Sequence, residues 1–209
     1  MLKFTLHDRA RIRFYWDGAA LQAHAEAMGD PSLTWLDLPA LGRAGGIEAA
    51  HVWFAPAAPA DRAGGDRLGA YGRALGALGV ERRACAGQGV ETECLRCGHG
   101  WREARAASDL TLALAVLEDA MADAYDTAFV FAPVHVLRAV DGPRARLFPE
   151  KGLGRVSFGP ARGLRHGGPV LILRSAQVAA ARLPLPEVGR RARPLFSQTV
   201  QPAAEEASP

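Results

Sequence analysis

The chain has 209 residues, of which 49% are hydrophobic, with 25 basic against 22 acidic side chains and a net charge of +3. That length and apolar share suit one domain with a full core, and so mild a basic excess neither demands nor excludes a nucleic-acid partner. No apolar run approaches the roughly 18 residues of a membrane span, and the opening MLKFTLHDRARIRFYW lacks the apolar core and small-residue cleavage site of an export signal, so the expectation is a cytoplasmic chain with no membrane partner.

Residues 11–16 form a compact β-prone run that ends where Asp17-Gly18 forces a turn. Residues 19–28 have helical composition, and residues 47–55 read as a second strand closed by a Pro, Ala and Gly stretch. Residues 66–78 carry Leu68, Tyr71, Leu75 and Leu78 at helical spacing. Residues 80–85 are a weaker strand, and residues 86–107 show little periodicity. Ser108-Asp109 offers an N-cap to a helix that Leu110, Leu112, Leu114, Val116, Leu117 and Met121 would make largely buried. Residues 127–131, 154–158 and 169–173 are three further short strands, and the last residues, QPAAEEASP, read as a disordered tail. Strands alternating with helices predict an α/β fold in which a mainly parallel sheet is covered on both faces.

In an open parallel sheet, ligands gather beyond the carboxyl ends of the strands. Asp17 directly follows the first strand, and Asp109 begins the helix that leads into the strand at 127–131, so both carboxylates are expected at that edge. Together they suit a hard divalent cation, Mg²⁺ or Mn²⁺; each equally suits ordinary turn or cap chemistry. His135, just past the strand ending at Phe131, is the histidine placed to join them, as a base or as a polar cap. Cys94 and Cys97 form a C-x-x-C pair, with Cys85 and His99 near enough in sequence to complete a zinc site; free thiols or a reversible disulfide fit the same spacing. Arg144, Arg146, Lys151, Arg155, Arg162 and Arg165 form a locally basic stretch, either a solvated face or a track for a nucleic-acid backbone.

Taken in order, several segments resemble one family. FYWDGAAL (residues 14–21) is similar to a hydrophobic strand followed by D-G-x-N-L. DLTLALAVLEDAMADAYDTAFVF (residues 109–131) is similar to D-V-x-L-A-x-x-x-x-x-D-A-x-x-x-x-Y-D-x-A-x-L-V-S. The cysteine pair, RLFPEKGLGRVSFGPAR (residues 146–162) and RLPLPEV with RRARPLF (within residues 182–196) resemble a bacterial subgroup that carries a C-x-x-C insertion. These are the marks of the NYN branch of the PIN-like ribonucleases. The resemblance implies a PIN-like three-layer α/β/α sandwich over residues 1–198, with the cysteine-containing insertion at about 85–107 and the tail at 199–209. It also implies metal-dependent RNA cleavage, with Asp17 and Asp109 matching two of the acidic metal ligands.

The departures bear on chemistry. The Asn of D-G-x-N is Ala20, and an E-E-K triplet before the helix aspartate is Ala104-Arg105-Ala106. An S-G-D-S-D motif aligns with residues 131–135, so Pro133 and His135 stand where its two aspartates would be. Removing two carboxylates sharply weakens a Mg²⁺ site, while His135 would favour a softer ion such as Mn²⁺ or Zn²⁺. The leading expectation is a catalytically impaired domain that acts as an RNA-binding or protein-interaction module. The alternatives are an active ribonuclease using Asp17, Asp109 and His135 in a rearranged site, and a zinc-stabilised protein-interaction domain built on the cysteine segment.

Overall fold

The computed structural model describes residues 10–47, 51–55, 62–82, 90–93, 100–103, 105–159 and 168–183. Six parallel strands form the central sheet: β1 (Ile12–Asp17), β2 (His51–Ala55), β3 (Glu81–Arg82), β6 (Thr127–Phe131), β7 (Gly152–Phe158) and β8 (Val170–Leu173). Their order is β3-β2-β1-β6-β7-β8. Between β3 and β6, β4 (Val90–Glu93) and β5 (Gly100–Glu103) pair antiparallel as a separate two-stranded sheet. The helices are α1 (Gly18–Met28), α2 (Leu38–Ala44), α3 (Arg62–Ala77), α4 (Arg105–Met121), α5 (Val134–Leu147) and α6 (Ser175–Ala180). No described helix is long and apolar enough to cross a membrane.

The strand alternation explains the layering. In β1, Ile12, Phe14 and Trp16 point to one face, where they meet Leu21 and Ala25 of α1, Leu38 and Leu41 of α2, Tyr71 and Leu75 of α3 and Val178 of α6. Tyr15 points to the other face, among Leu112, Ala115 and Val116 of α4 and Val136, Leu137 and Val140 of α5. β6 obeys the same rule, with Phe129 and Phe131 on the first face and Ala128 and Val130 on the second. The result is a three-layer α/β/α sandwich with a core on each side of the sheet. Aromatic contacts fasten the first core: Phe14 stacks on Phe129 at 5.5 Å between centroids, and Trp16 lies 5.4 Å from Phe131.

Several elements depart from the sequence-based expectations. α4 begins at Arg105, so Asp109 is its fifth residue and does not cap it; the preceding Ala-rich residues have the intrinsic preference to extend the helix backwards. Only part of its leucine content is buried. Leu112 and Val116 are inside, whereas Leu110, Leu114 and Met121 are 61%, 48% and 72% exposed, because they lie on the outward side of a helix packed by one face. The segment without periodicity contains the β4–β5 hairpin. α2, α5 and α6 are additional helices: Asp37 caps α2, its side chain accepting from the Ala40 N–H, with a proline in the first turn. α5 contains Pro143 and lacks a side-chain cap at its start.

Candidate functional site

All six strands of the large sheet run the same way, so their carboxyl ends share one edge. The chain turns from β1 into α1 on one face and from β6 into α5 on the other. β1 and β6 are adjacent, which makes the gap between their carboxyl ends the point where strand order reverses, the usual ligand crevice of such sheets. Asp17 is the last residue of β1 and Val134 the first of α5.

Asp17 is fully buried. Its Oδ1 accepts from the Ala19 N–H at 2.8 Å and the Ala20 N–H at 3.3 Å, capping α1. Its Oδ2 is buried and meets no N–H or O–H donor among the described residues. The group within hydrogen-bonding reach is the Asp109 carboxyl, so a bond forms between them only when one carries a proton. Burial, then that bond, lifts the Asp17 carboxyl from 3.8 to about 7; the Ala20 and Ala19 amides oppose the rise. Asp109 turns its Oδ2 to His135 Nε2 at 2.7 Å. His135 is 71% exposed and Asp109 20%, so the chain Asp17–Asp109–His135 runs from the interior to solvent.

A second contact sets the height of α4 against β1. Asp119, ten residues beyond Asp109, accepts from Arg13 Nη1 at 2.6 Å and from the Tyr15 hydroxyl at 2.5 Å. Ten helical residues rise about 15 Å, and the four residues from Arg13 to Asp17 extend about 13 Å. With Asp119 fixed to Arg13 and Tyr15, Asp109 therefore comes level with Asp17. Burial, followed by the bond to Asp119, pushes the Tyr15 phenol well above its ordinary value, so it stays a donor. The charge of Asp119 and its spacing of ten from Asp109 are visible in the sequence, but its partners on β1 emerge only from the packing.

Three of the residues expected from sequence are thus brought together: Asp17, Asp109 and His135. The basic residues are not. Arg144 and Arg146 lie in the last turn of α5 and Lys151 just before β7, at the opposite, amino edge of the sheet. Arg144 donates to Asp141 at 2.8 Å and to the Lys151 carbonyl. The Lys151 ammonium is buried against Asp123, which also meets Arg11. Cys85, Cys94, Cys97, His99, Arg162 and Arg165 lie outside the described residues.

Among the described residues, no group of three or more His, Cys, Asp or Glu side chains is placed to hold a metal ion. Of the carboxylate oxygens in the crevice, Asp17 Oδ1 serves two amides and Asp109 Oδ2 serves His135. That leaves Asp17 Oδ2 and the second oxygen of Asp109. Those two oxygens, one on each carboxyl, can supply only part of the octahedral shell of an ion such as Mg²⁺, which keeps several waters when one or two carboxylates hold it.

No protein-family model matches this chain, and no curated protein matches it. A crystallised protein of unknown function from Vibrio parahaemolyticus is similar in chain path, with a TM-score of 0.48 at 11% identity, over 73% of this chain and 84% of that one.

Proposed function

We propose that this chain is a PIN-like domain of the NYN kind that keeps the crevice of a metal-dependent ribonuclease but little of its hydrolytic power, and that it acts as an RNA-binding module. The supporting observation is the composition of the crevice. At the junction of β1 and β6 stand one buried carboxyl whose proton-holding tendency is raised to about 7, a second carboxyl, and one histidine. Half of the carboxylate oxygens are already engaged by the protein. Hydrolysis of a phosphodiester by metal needs a cation held firmly enough to generate hydroxide and to neutralise the developing charge, and this pair of oxygens offers a weak hold.

A second reading rests on the His135–Asp109 contact. An exposed imidazole oriented by a carboxylate has the geometry of a general base, which favours residual cleavage in a rearranged site. One experiment separates the readings: labelled single-stranded and structured RNA incubated with the full chain in Mg²⁺, Mn²⁺ or EDTA, alongside Asp17→Asn and His135→Ala. The binding module predicts gel retardation without cleavage, insensitive to EDTA. Cleavage that requires metal and disappears in Asp17→Asn would overturn it in favour of an active nuclease. Absence of both cleavage and retardation would overturn the RNA reading as a whole.

A further inference from the structure

Arginine side chains in this fold divide into two groups, with one exception. Arg11, Arg13, Arg144 and Arg182 each end on a carboxylate. The other arginines whose side chains are described stand exposed in water, apart from Arg155. Arg155, in the middle of β7, is only partly exposed, and its Nε is buried with no acceptor. No acidic side chain among the described residues pairs with it. Desolvation alone lowers the proton affinity of its guanidinium, the reverse of what a neighbouring carboxylate would do. A guanidinium stays charged in a protein, and Arg155 holds that charge partly withdrawn from water with no counter-charge beside it among the described residues.

Register fixes where this cation lies. Tyr15, Val130, Arg155 and Val170 make one row across four strands. Tyr15 and Val130 face the layer of α4 and α5, and so does Leu153, two residues before Arg155. Arg155 therefore leaves the sheet on the face that carries Asp17. Ser157, two residues further, shares that face and is partly exposed, and its hydroxyl makes no side-chain hydrogen bond among the described residues. It stands one step nearer the carboxyl edge, level with Asp17 and two strands away, which is about 10 Å.

We propose that Arg155 and Ser157 form an oxyanion position on this face of β7, occupied by a phosphate group, either free or part of a nucleotide chain. A cation with no carboxylate partner among the described residues, whose planar fork suits two phosphate oxygens, and a partly exposed hydroxyl two residues along the same face match that chemistry. The position is separate from the Asp17–Asp109 pair, whose negative character would repel an anion. It does not depend on the RNA reading, because inorganic phosphate is itself a sufficient occupant.

The test is urea unfolding of the full chain in chloride and in phosphate at equal ionic strength, repeated with a short uridine oligonucleotide in chloride, for the wild type, Arg155→Met and Arg155→Lys. Phosphate or the oligonucleotide should raise the wild-type midpoint by preferential binding to the folded state. Arg155→Met should lose that response, with a midpoint in chloride equal to or above the wild type, because it removes an unpaired cation. A response to inorganic phosphate identifies the free ion as sufficient; a response to the oligonucleotide alone identifies the phosphodiester. The Nε–H signal of Arg155 in the wild type gives a readout independent of variant folding, and it should shift on titration with the same probe. A wild type indifferent to both probes, or an Arg155→Met variant that keeps the full response, would overturn the proposal.

Discussion

Replacing Asp17 with Asn asks whether a neutral group belongs at the end of β1. A carboxyl raised from 3.8 to about 7 keeps its proton in the fold under conditions where the unfolded chain has released it. Between those values the folded state holds one more proton than the unfolded state. Stability contributed by this group is therefore complete below about pH 4, falls as pH rises, and levels off above about pH 7. At about 1.4 kcal/mol per pH unit, the interval corresponds to about 4 kcal/mol. The side chain has no exposed surface, so solvent screening removes little of this; sharing of the proton with Asp109 makes the figure an upper bound, and about 2–4 kcal/mol is expected. Asn keeps the shape and an oxygen for the Ala19 and Ala20 amides, ranks with Asp as an N-cap, and offers an N–H to Asp109. Urea unfolding across about pH 4 to 8 should show the variant within about 1 kcal/mol of wild type at the acid end and more stable by about 2–4 kcal/mol at the alkaline end. Asp123 and Asp126, held below the ordinary carboxylate value chiefly by hydrogen bonds from Arg11, slope the other way, but they are common to both proteins and cancel in the difference. A gap independent of pH, or a variant less stable at about pH 8, would mean that Asp17 is ionised in the fold and would refute the reasoning.

Other outcomes follow from packing. Gly154→Ala should cost about 1–3 kcal/mol in chemical denaturation, because its Cβ would lie 2.6 Å from the Phe129 ring in a filled core. Gly72→Ala, whose Cβ would meet the Arg82 guanidinium, should stay within about 1 kcal/mol of wild type, since the end of an exposed side chain can swing aside. Asp119→Ala removes the carboxylate that partly buried Arg13 and the Tyr15 hydroxyl both donate to, and should lower unfolding free energy by about 2–4 kcal/mol. Arg146→Ala, at the amino edge, should leave retardation of RNA unchanged in a gel-shift titration, whereas loss of retardation would place the RNA on the opposite edge from Asp17.

The parts of the fold legible in the sequence are those with short-range signals. β1 and β6 were expected at residues 11–16 and 127–131 and lie at Ile12–Asp17 and Thr127–Phe131, because continuous apolar β-prone runs bounded by turn residues identify buried parallel strands. α5 is not evident in the sequence because Gly142 and Pro143 sit inside it, and both oppose helix in isolation; packing of Val136, Leu137 and Val140 overrides them. The hairpin alternates too briefly to stand out, with four residues in each strand. At the crevice, strand order alone places Asp17, and the spacing from Asp109 to the strand suggests its edge. The clamp of Asp119 on Arg13 and Tyr15 links residues more than a hundred positions apart, for which no local pattern exists. The unpaired state of Arg155 was equally hidden, since a sequence shows a charge but not the lack of a counter-charge.

The two cores also differ in how they are sewn together along the chain. Among the described residues, the core beneath α4 and α5 takes nearly all of its buried members from positions 112–153, with Tyr15 and Ala55 coming from elsewhere. The other core gathers residues from Ile12 to Ala181. Contacts that close short loops form at lower entropic cost and generally earlier, so α4, β6, α5 and β7 constitute the natural folding nucleus. Asp109 and His135 both belong to that nucleus, whereas Asp17 enters only when β1 slots between β2 and β6. Truncation of Val140 should therefore slow refolding, whereas truncation of Leu75 should chiefly hasten unfolding. On this order of events the carboxyl pair is a product of the final docking step, and any partly folded chain carries the histidine and its aspartate but not the buried acid that completes the crevice.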